Sequence, residues 1–372
     1  MSKKVLVTGG AGFVGSHLVD ALLAQGHCVR VLDNLTPQVH GSLLPEYLSS
    51  DAELLRGDIR DARAVSSALE GIEVVFHFAA AVGVGQSMYE IAHYLEVNQQ
   101  GTAVLLQELL SRKSRVQKLV LASSMSIYGE GQYVCAQCGV VAPPLRSALR
   151  VRQKQWELQC LSCPGELTPI PVDETKPREC GSIYALSKKN QEDVCLLFGR
   201  TYGLPVAALR FFNIYGPRQA LSNPYTGVAA IFASRLLNGN PPLLFEDGRQ
   251  MRDFVSVYDV VQANLLAMES NGADGRALNI GSGAPISIRE VAAALAQALE
   301  TEIAPEITEK HRAGDIRHCF GDISAARRLL GYQPRVRFVD GVKDLVGWLR
   351  GQRPQDRVAE AAAQLSSFGL AA

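Results

Sequence analysis

The chain has 372 residues, and 37 lysines and arginines balance 37 aspartates and glutamates. That length supports one large α/β domain or two lobes, and the balanced charge gives no overall attraction to nucleic acid or to an anionic membrane. No apolar run reaches the ~20 residues that span a bilayer, and Met1-Ser2-Lys3-Lys4 passes into Val5-Leu6-Val7 without an export signal's apolar core. The expected protein is cytoplasmic, with no membrane and no nucleic-acid partner.

Val5-Leu6-Val7 reads as a strand and 15–25 as a helix, joined by Thr8-Gly9-Gly10-Ala11-Gly12-Phe13-Val14-Gly15. Glycines at 9, 12 and 15 allow a tight turn, close backbone approach to a pyrophosphate and close helix–strand packing, while the helix N-terminus offers free N–H groups. The strand Cys28–Leu32 ends at Asp33, whose carboxylate can accept both hydroxyls of a ribose and repel a 2′-phosphate. The turn therefore predicts NAD rather than NADP, and Asn34-Leu35-Thr36 offers no arginine for the phosphate.

Asp58-Ile59 follows a third strand and is a candidate for the adenine, or a plain turn carboxylate. Val74–Phe78 and Lys118–Ala122 continue the βα alternation, with helices near 88–113 and 182–202 and a further strand over 206–212. Continuous apolar strands at this spacing fit a doubly wound parallel sheet. Phe78, Ala79, Ala80 and Ala81 would let a cofactor lie against the backbone, and Asn98 is a polar anchor or a structural amide.

Tyr184-Ala-Leu-Ser-Lys188 sets a phenol and an ammonium one helical turn apart. A free tyrosine, with a pKa near ~10, is a poor base at neutral pH, and a neighbouring cation stabilises its phenolate. After Asn213 the prolines at 217, 224, 241 and 242 announce a second, irregular lobe, and 351–372 reads as a surface helix or frayed tail. The expected division is a cofactor domain (1–212 and 255–280), a substrate lobe (213–254 and 281–350) and an insertion (132–166).

Cys135-Ala-Gln-Cys138 and Cys160-Leu-Ser-Cys163 mark that insertion; 21 residues separate them, and Gly139 and Pro164-Gly165 follow as tight turns. Two such pairs match a four-cysteine zinc ribbon. Redox disulfides or free thiols are the alternatives, and four thiolates leave no open position for a catalytic metal. Arg146, Arg150, Arg152 and Lys154 give local positive charge without an aromatic platform for nucleic acid, so a small lid or dimer contact is expected. Cys28, Cys180, Cys195 and Cys319 are scattered.

Taken in order, the TGGAGFVG turn, Asp33, HFAA at 77–80, SSMSIYG at 123–129, YALSK at 184–188, RFFNIYGPR at 210–218, RDFVSVYDV at 252–260 and RAGDIRH at 312–318 resemble the extended short-chain dehydrogenase/reductase family, specifically its NAD-dependent nucleotide-sugar epimerases and dehydratases. The resemblance covers roughly residues 3–350. It implies tightly bound NAD, a nucleotide-diphosphate sugar as substrate and a homodimer.

It implies Ser124, Tyr184 and Lys188 as catalytic residues, with Tyr184 taking a sugar hydroxyl's proton and Lys188 lowering the tyrosine's pKa. The implied cofactor set is Gly9, Gly12, Phe13, Val14, Gly15, Asp33, Asn34, Asp58, Ile59, Phe78, Ala79, Ala80, Asn98 and Phe211, with Tyr184 and Lys188. The implied substrate set is Ser124, Asn213, Val228, Arg252, Arg312 and Asp315, with 223–228 as a wall. Dehydratases of the family carry an Asp-Glu pair where this chain has Met125 and Ser126, which cannot do their proton work. UDP-galactose epimerases usually carry a lysine where this chain has Val82. A 4-epimerase or 4-ketoreductase remains, and the NAD preference favours the epimerase. The wall and the cysteine insertion look similar to the dTDP-L-rhamnose 4-epimerases of bacterial deoxysugar pathways. A non-catalytic NAD-sensing regulator is the rival from another class, although such proteins tend to lose the Tyr–Lys pair.

Overall fold

The structure is a computed structural model that describes residues 2–370 apart from 42–43, 112–114, 164, 221–222, 224, 226, 313 and 353–355. Its first half alternates strand and helix: β1 (Lys4–Thr8), α1 (Phe13–Ala24), β2 (Cys28–Asp33), α2 (Pro37–His40), β3 (Glu53–Arg56), α3 (Ala62–Ala68), β4 (Val74–His77), α4 (Val84–Ser87), α5 (Ile91–Leu95), α6 (Gly101–Ser111) and β5 (Lys118–Ser124). A π-helical turn, Glu96–Gln100, joins α5 to α6. The insertion follows as β6 (Gln132–Cys135), β7 (Gly139–Val141), α7 (Ala148–Arg152) and β8 (Leu167–Ile170), and then α8 (Ile183–Tyr202) and β9 (Val206–Phe211) return to the main sheet.

The remainder comprises β10 (Asn213–Tyr215), α9 (Val228–Leu237), β11 (Leu243–Leu244), β12 (Met251–Ser256), α10 (Val257–Glu269), β13 (Arg276–Ile280), β14 (Pro285–Ser287), α11 (Ile288–Ala298), β15 (Glu306–Ile307), β16 (His318–Cys319), α12 (Ser324–Leu330), α13 (Phe338–Leu349) and α14 (Val358–Ser367). Among the described residues, no helix is long and apolar enough to cross a membrane.

Among the described residues seven strands form one sheet in the order β3-β2-β1-β4-β5-β9-β13, every pair parallel. Helices cover both faces. Leu18 and Leu22 of α1, Val260 and Ala263 of α10 and Leu330 of α12 fill one side; Val65 of α3, Leu105 and Leu109 of α6 and Cys195 of α8 fill the other. A fully buried leucine stabilises by roughly 2 kcal/mol, so the strands read as unbroken apolar runs because both faces are closed. The order reverses between β1 and β4, which opens a crevice at the carboxyl ends of the strands.

The smaller lobe sets β10 parallel to β12, β12 antiparallel to β14 and parallel to β16, over a core from α9, α11 and α13. The insertion is a three-stranded antiparallel sheet, β7-β6-β8, around Tyr133, Leu158 and Leu167. Its third strand lies beyond residue 166, because the chain after the second cysteine pair returns alongside β6. The C-terminal stretch is a helix that packs rather than frays. Ala361 and Leu365, one turn apart, are buried, and Phe368 stacks on Tyr89 with ring centroids 5.0 Å apart.

α8 carries the site. Ser182 caps its start by accepting from Ala185 N at 3.1 Å, and Gly203, at φ +73, ends it in the left-handed conformation that glycine tolerates. Its buried stripe includes Lys188, Gln191 and Glu192. Glu192 accepts from Arg210 Nη2 at 2.6 Å and Nε at 2.9 Å, and from Ser123 Oγ at 2.7 Å. Arg210→Met removes the guanidinium that matches this buried carboxylate. It is expected to cost about 3 kcal/mol of unfolding free energy in urea titration, as breaking one side of a buried pair does.

Candidate active site

Backbone packs on backbone where the first turn meets the fourth strand. A Cβ on Gly9, at φ +72, would lie 2.7 Å from Ala79 N, and one on Gly15 would lie 2.3 Å from Gly9 O. A Cβ on Gly12 would meet only Gly9 O, at 3.3 Å, so this glycine faces open space. Gly12 is also the N-cap of α1 and offers no side chain to the first-turn N–H groups, Phe13, Val14 and Gly15 among them. A bare helix N-terminus under an open glycine suits a diphosphate.

Asp33 stands beside this cradle. Its Oδ2 accepts from Ala11 N at 3.0 Å and its Oδ1 from Leu35 N at 2.9 Å, which fixes the carboxylate and leaves lone pairs for hydroxyls. His40 Nε2 lies 3.9 Å from Asp33, and its buried Nδ1 has no partner; burial lowers its pKa. Nothing in the sequence pointed to His40. Asp58 is held well below the usual carboxylate range by the Arg60 guanidinium, and Asn34 Nδ2 donates to it at 3.2 Å. Ile59 is buried in the core, where a Cβ on Gly101 would lie 2.6 Å from its side chain, so that side chain packs against α6. Phe78 and Phe211 meet edge to face at 6.1 Å, and Ala80, two residues after Phe78, is half-buried.

Asn98 sits in the π-helical turn, and its amide works on protein. Ala81 N donates to Oδ1 at 2.7 Å, and Nδ2 donates to Ala81 O at 3.0 Å and to Ser187 Oγ at 2.8 Å. It therefore locks the loop after β4 to α8. Behind it, His77 Nδ1 lies 2.8 Å from Thr8 Oγ1 and Nε2 lies 2.9 Å from Thr102 Oγ1. Thr102 already donates to Asn98 O, so His77 carries its proton on Nε2 and accepts from Thr8. Burial pushes its pKa down to about 3, so the ring is a neutral bridge rather than an acid or base.

Ser124 ends β5 and caps the short turn Met125–Tyr128, accepting from Ser126 N at 3.2 Å; its Oγ lies 2.9 Å from Ser126 Oγ. Ser126 is thus a holder of Ser124, a role invisible in a family comparison of proton donors. Tyr184 is half-buried, its N–H donating to Ser87 Oγ at 3.0 Å and its ring edge-on to Tyr94 at 6.4 Å. The expected fall in the tyrosine's pKa is not the net result in the cofactor-free chain. Desolvation raises Tyr184, and it is the hydroxyl of Ser124 that pulls it back. Lys188 is itself pushed down to about 8 by burial.

The expected substrate residues other than Ser124 lie on the smaller lobe. Arg252 donates to Met251 O at 2.9 Å, to Arg317 O at 3.0 Å and to Ile316 O, and burial lowers its pKa. Arg312 stacks over Phe245 at 4.5 Å and pairs with Asp315 Oδ2 at 3.0 Å. Two members of the implied substrate set are therefore partnered with each other here. Asn213 Oδ1 is buried without a partner, and Val228 opens α9 behind the uncapped Gly227. Pro224 and Thr226 of the expected wall lie outside the described residues, while Tyr225 donates to Gln364 Oε1 at 3.0 Å.

The four cysteines of the insertion meet. Sγ atoms of Cys135, Cys138, Cys160 and Cys163 all lie within 4.8 Å of one another. Backbone N–H groups of Gln137 and Cys138 pull the Cys135 thiol down to about 7, and those of Ser162 and Cys163 act likewise on Cys160. Gly139 turns at φ +75, and Pro164 is outside the described residues. Three of the insertion's four basic residues are engaged within the protein: Arg146 with Glu130 and Glu246, Arg150 with Gln159, Lys154 with Glu309.

Lys188 gives this site a testable cost. Its pKa in the fold, about 8, lies below the unfolded value of 10.5, so the folded state binds fewer protons between those values and the penalty is full below pH 8. Stability from this group rises with pH through that window. Lys188→Met is expected to stabilise the cofactor-free protein by roughly 2–3 kcal/mol at pH 7 in urea titration, with the gain vanishing above the unfolded pKa.

Residues 5–281 match the NAD dependent epimerase/dehydratase family. Over 351 residues the chain is 34% identical to dTDP-L-rhamnose 4-epimerase of Burkholderia thailandensis, covering 93% of this chain and 95% of that one. The crystal structure of UDP-glucose 4-epimerase from Thermotoga maritima with UDP-glucose superposes with a TM-score of 0.77 at 32% identity, covering 93% of this chain and 98% of that one. The Thermus thermophilus UDP-glucose 4-epimerase complex with NAD gives a TM-score of 0.74 at 33% identity, covering 94% and 99%. With the glycine cradle, the Tyr184–Lys188 helix and these likenesses in agreement, the chain belongs to the NAD dependent epimerase/dehydratase family, within the extended short-chain dehydrogenases/reductases.

Proposed function

We propose that the chain is an NAD-dependent nucleotide-sugar 4-epimerase acting on a dTDP-6-deoxyhexose such as dTDP-L-rhamnose. The observation that supports this reading is the contact of the Ser124 hydroxyl with Tyr184, one helical turn before the buried Lys188, in a chain that also carries an open glycine at its first turn and Arg252 and Arg312 on the smaller lobe. When bound, NAD supplies the two-electron acceptor that takes the C4 hydride and gives it back. Gly9, Gly12, Phe13, Val14 and Gly15 would hold its diphosphate and Asp33 its adenosine ribose. Asn34, Asp58, Ile59, Phe78, Ala79, Ala80, Asn98 and Phe211 would complete the walls, and Lys188 would hold the nicotinamide ribose.

The chain's own residues move the proton. Ser124 orients the C4 hydroxyl, and Tyr184 Oη takes its proton as the 4-keto sugar forms, then returns a proton after the sugar has turned over in the pocket. Asn213 and the N-terminus of α9 at Val228 would meet the sugar diphosphate together with Arg252 and Arg312. Asp315 would meet the nucleotide ribose once a phosphate competes for Arg312. Met125 and Ser126 supply no acid–base pair for dehydration. The 32% identity to a UDP-glucose 4-epimerase favours a second reading, a UDP-hexose or UDP-hexuronate 4-epimerase. A 4-ketoreductase is the further alternative.

We read the protein as cytoplasmic and divided as the sequence suggests, with the insertion running on to Ile170. Exposed Leu186 and Leu197 on α8 and Ile91 and Leu110 on α5 and α6 suit a homodimer through these helices. The four cysteines would hold one structural zinc. Tetrahedral zinc with Zn–S near ~2.3 Å sets sulfurs about 3.8 Å apart, which the cluster already approaches.

Incubation with dTDP- and UDP-sugars, without added reductant, is expected to give C4-inverted product by NMR; turnover that needs stoichiometric NADPH would contradict the epimerase. Tyr184→Phe is expected to lower kcat by about 10²–10⁴ with NAD retained. Purified protein should carry about one zinc per chain by elemental analysis, lost in Cys138→Ser.

A further inference from the structure

The insertion makes a second set of contacts that the chemistry above does not use. Arg146, on the insertion, reaches Glu130 Oε1 at 3.2 Å, Glu246 Oε1 at 2.7 Å and the backbone oxygen of Asp315 at 3.0 Å. Glu246 holds Arg317 through its other oxygen at 2.9 Å, and Arg317 pairs with Asp247 at 2.7 and 2.9 Å. Glu157, also on the insertion, accepts from Arg317 Nε at 3.0 Å and lies 3.0 Å from His318 Nε2. The backbone N–H of Arg317 donates to both oxygens of Glu130, at 3.0 and 2.8 Å. Glu130, Glu246 and Arg317 are all but fully buried.

The same short segments carry the residues assigned above to the nucleotide. Asp315 offers its backbone oxygen to Arg146 and its carboxylate to Arg312. Arg252 donates to the carbonyls of Ile316 and Arg317, and Arg312 lies over Phe245, next to Glu246. The cysteine cluster connects to this network through its own core. Leu158 and Cys160 pack with Tyr133 and Cys135, Glu157 is three residues before Cys160, and Trp156 O accepts from Arg146 at 3.3 Å. Without Arg146 the buried carboxylate of Glu130 would lose its paired guanidinium, while Glu246 would keep only Arg317.

We propose that the four-cysteine insertion is a positioning clamp for the nucleotide-diphosphate end of the substrate. Its metal-held fold presents Arg146 and Glu157, and these fix Asp315–His318 so that Arg252, Arg312 and Asp315 converge on the ligand. The proposal rests on the substrate roles proposed above for those three residues. It assigns the insertion to binding and leaves the chemistry at C4 to Ser124, Tyr184 and Lys188. Arg146 and Glu157 are positioning residues.

The test uses the full-length, NAD-loaded protein with UDP and dTDP as calorimetric probes, alongside steady-state kinetics on the sugar nucleotide it converts. Arg146→Gln and Glu157→Gln are expected to raise Kd for the nucleotide and KM by about tenfold, the scale of one charge-assisted hydrogen bond, with kcat and NAD content little changed. Arg146→Lys should restore part of the affinity, and Cys138→Ser should reproduce the loss of affinity as it loses metal. Glu157 is more than half exposed, so its variant remains informative where Arg146→Gln fails to fold. Wild-type Kd and KM in both glutamine variants, or a fall in kcat at unchanged KM, would overturn the clamp. Metal loss with unchanged nucleotide affinity would overturn its dependence on the cluster. A wild-type protein that binds neither nucleotide would instead remove the sugar-nucleotide reading on which the clamp depends.

Discussion

The carboxylate of Glu192 joins four stretches of chain that must keep register for the site to exist. It lies one turn beyond Lys188 on α8, accepts from Ser123 next to Ser124 at the end of β5, and pairs with Arg210 on β9 and with Arg178 after the insertion. Arg210 in turn donates to Tyr128 Oη at 2.7 Å, at the close of the turn that Ser124 caps. A buried pair of this kind adds little net stability, because desolvation offsets most of the attraction. What it supplies is alignment: helix and strand cannot slide by one residue without stranding charge in the core.

Around that pair the fold accepts polar burial in order to hold reactive groups. Lys188 is placed where its charged form is disfavoured, and the neutral His77 beside it bridges Thr8 and Thr102 without adding charge of its own. Asn98 closes the arrangement by bonding the loop after β4 to Ser187. In the chain alone burial raises Tyr184, and the hydroxyl of Ser124 opposes that rise.

Much of this was legible in the sequence because it is local. The glycine turn, Asp33 at a strand end and Tyr184 one turn before Lys188 each fall within a few residues, and backbone periodicity converts their spacing into geometry. The four cysteines were legible for the same reason. What spacing could not show are pairings across long stretches of chain. Arg146 read as part of a local positive charge but is buried against Glu246, and Arg312 and Asp315, both in the implied substrate set, bond each other. Ser126 looked inert because it is no acid, yet its hydroxyl lies against Ser124. The tail carried no motif; its helix is held by Leu365 and by Phe368 stacked on Tyr89, contacts that depend on a loop far away in sequence.

In the proposed epimerisation one hydrogen leaves C4 and the same hydrogen returns to the other face. A sugar nucleotide deuterated at C4, converted by the NAD-loaded enzyme in ordinary water and analysed by NMR and mass spectrometry, tests this directly. The expected product is an epimer that retains its deuterium at C4, with none lost to solvent. Product in which C4 carries hydrogen from water would contradict it, because inversion would then proceed by removing a proton from carbon.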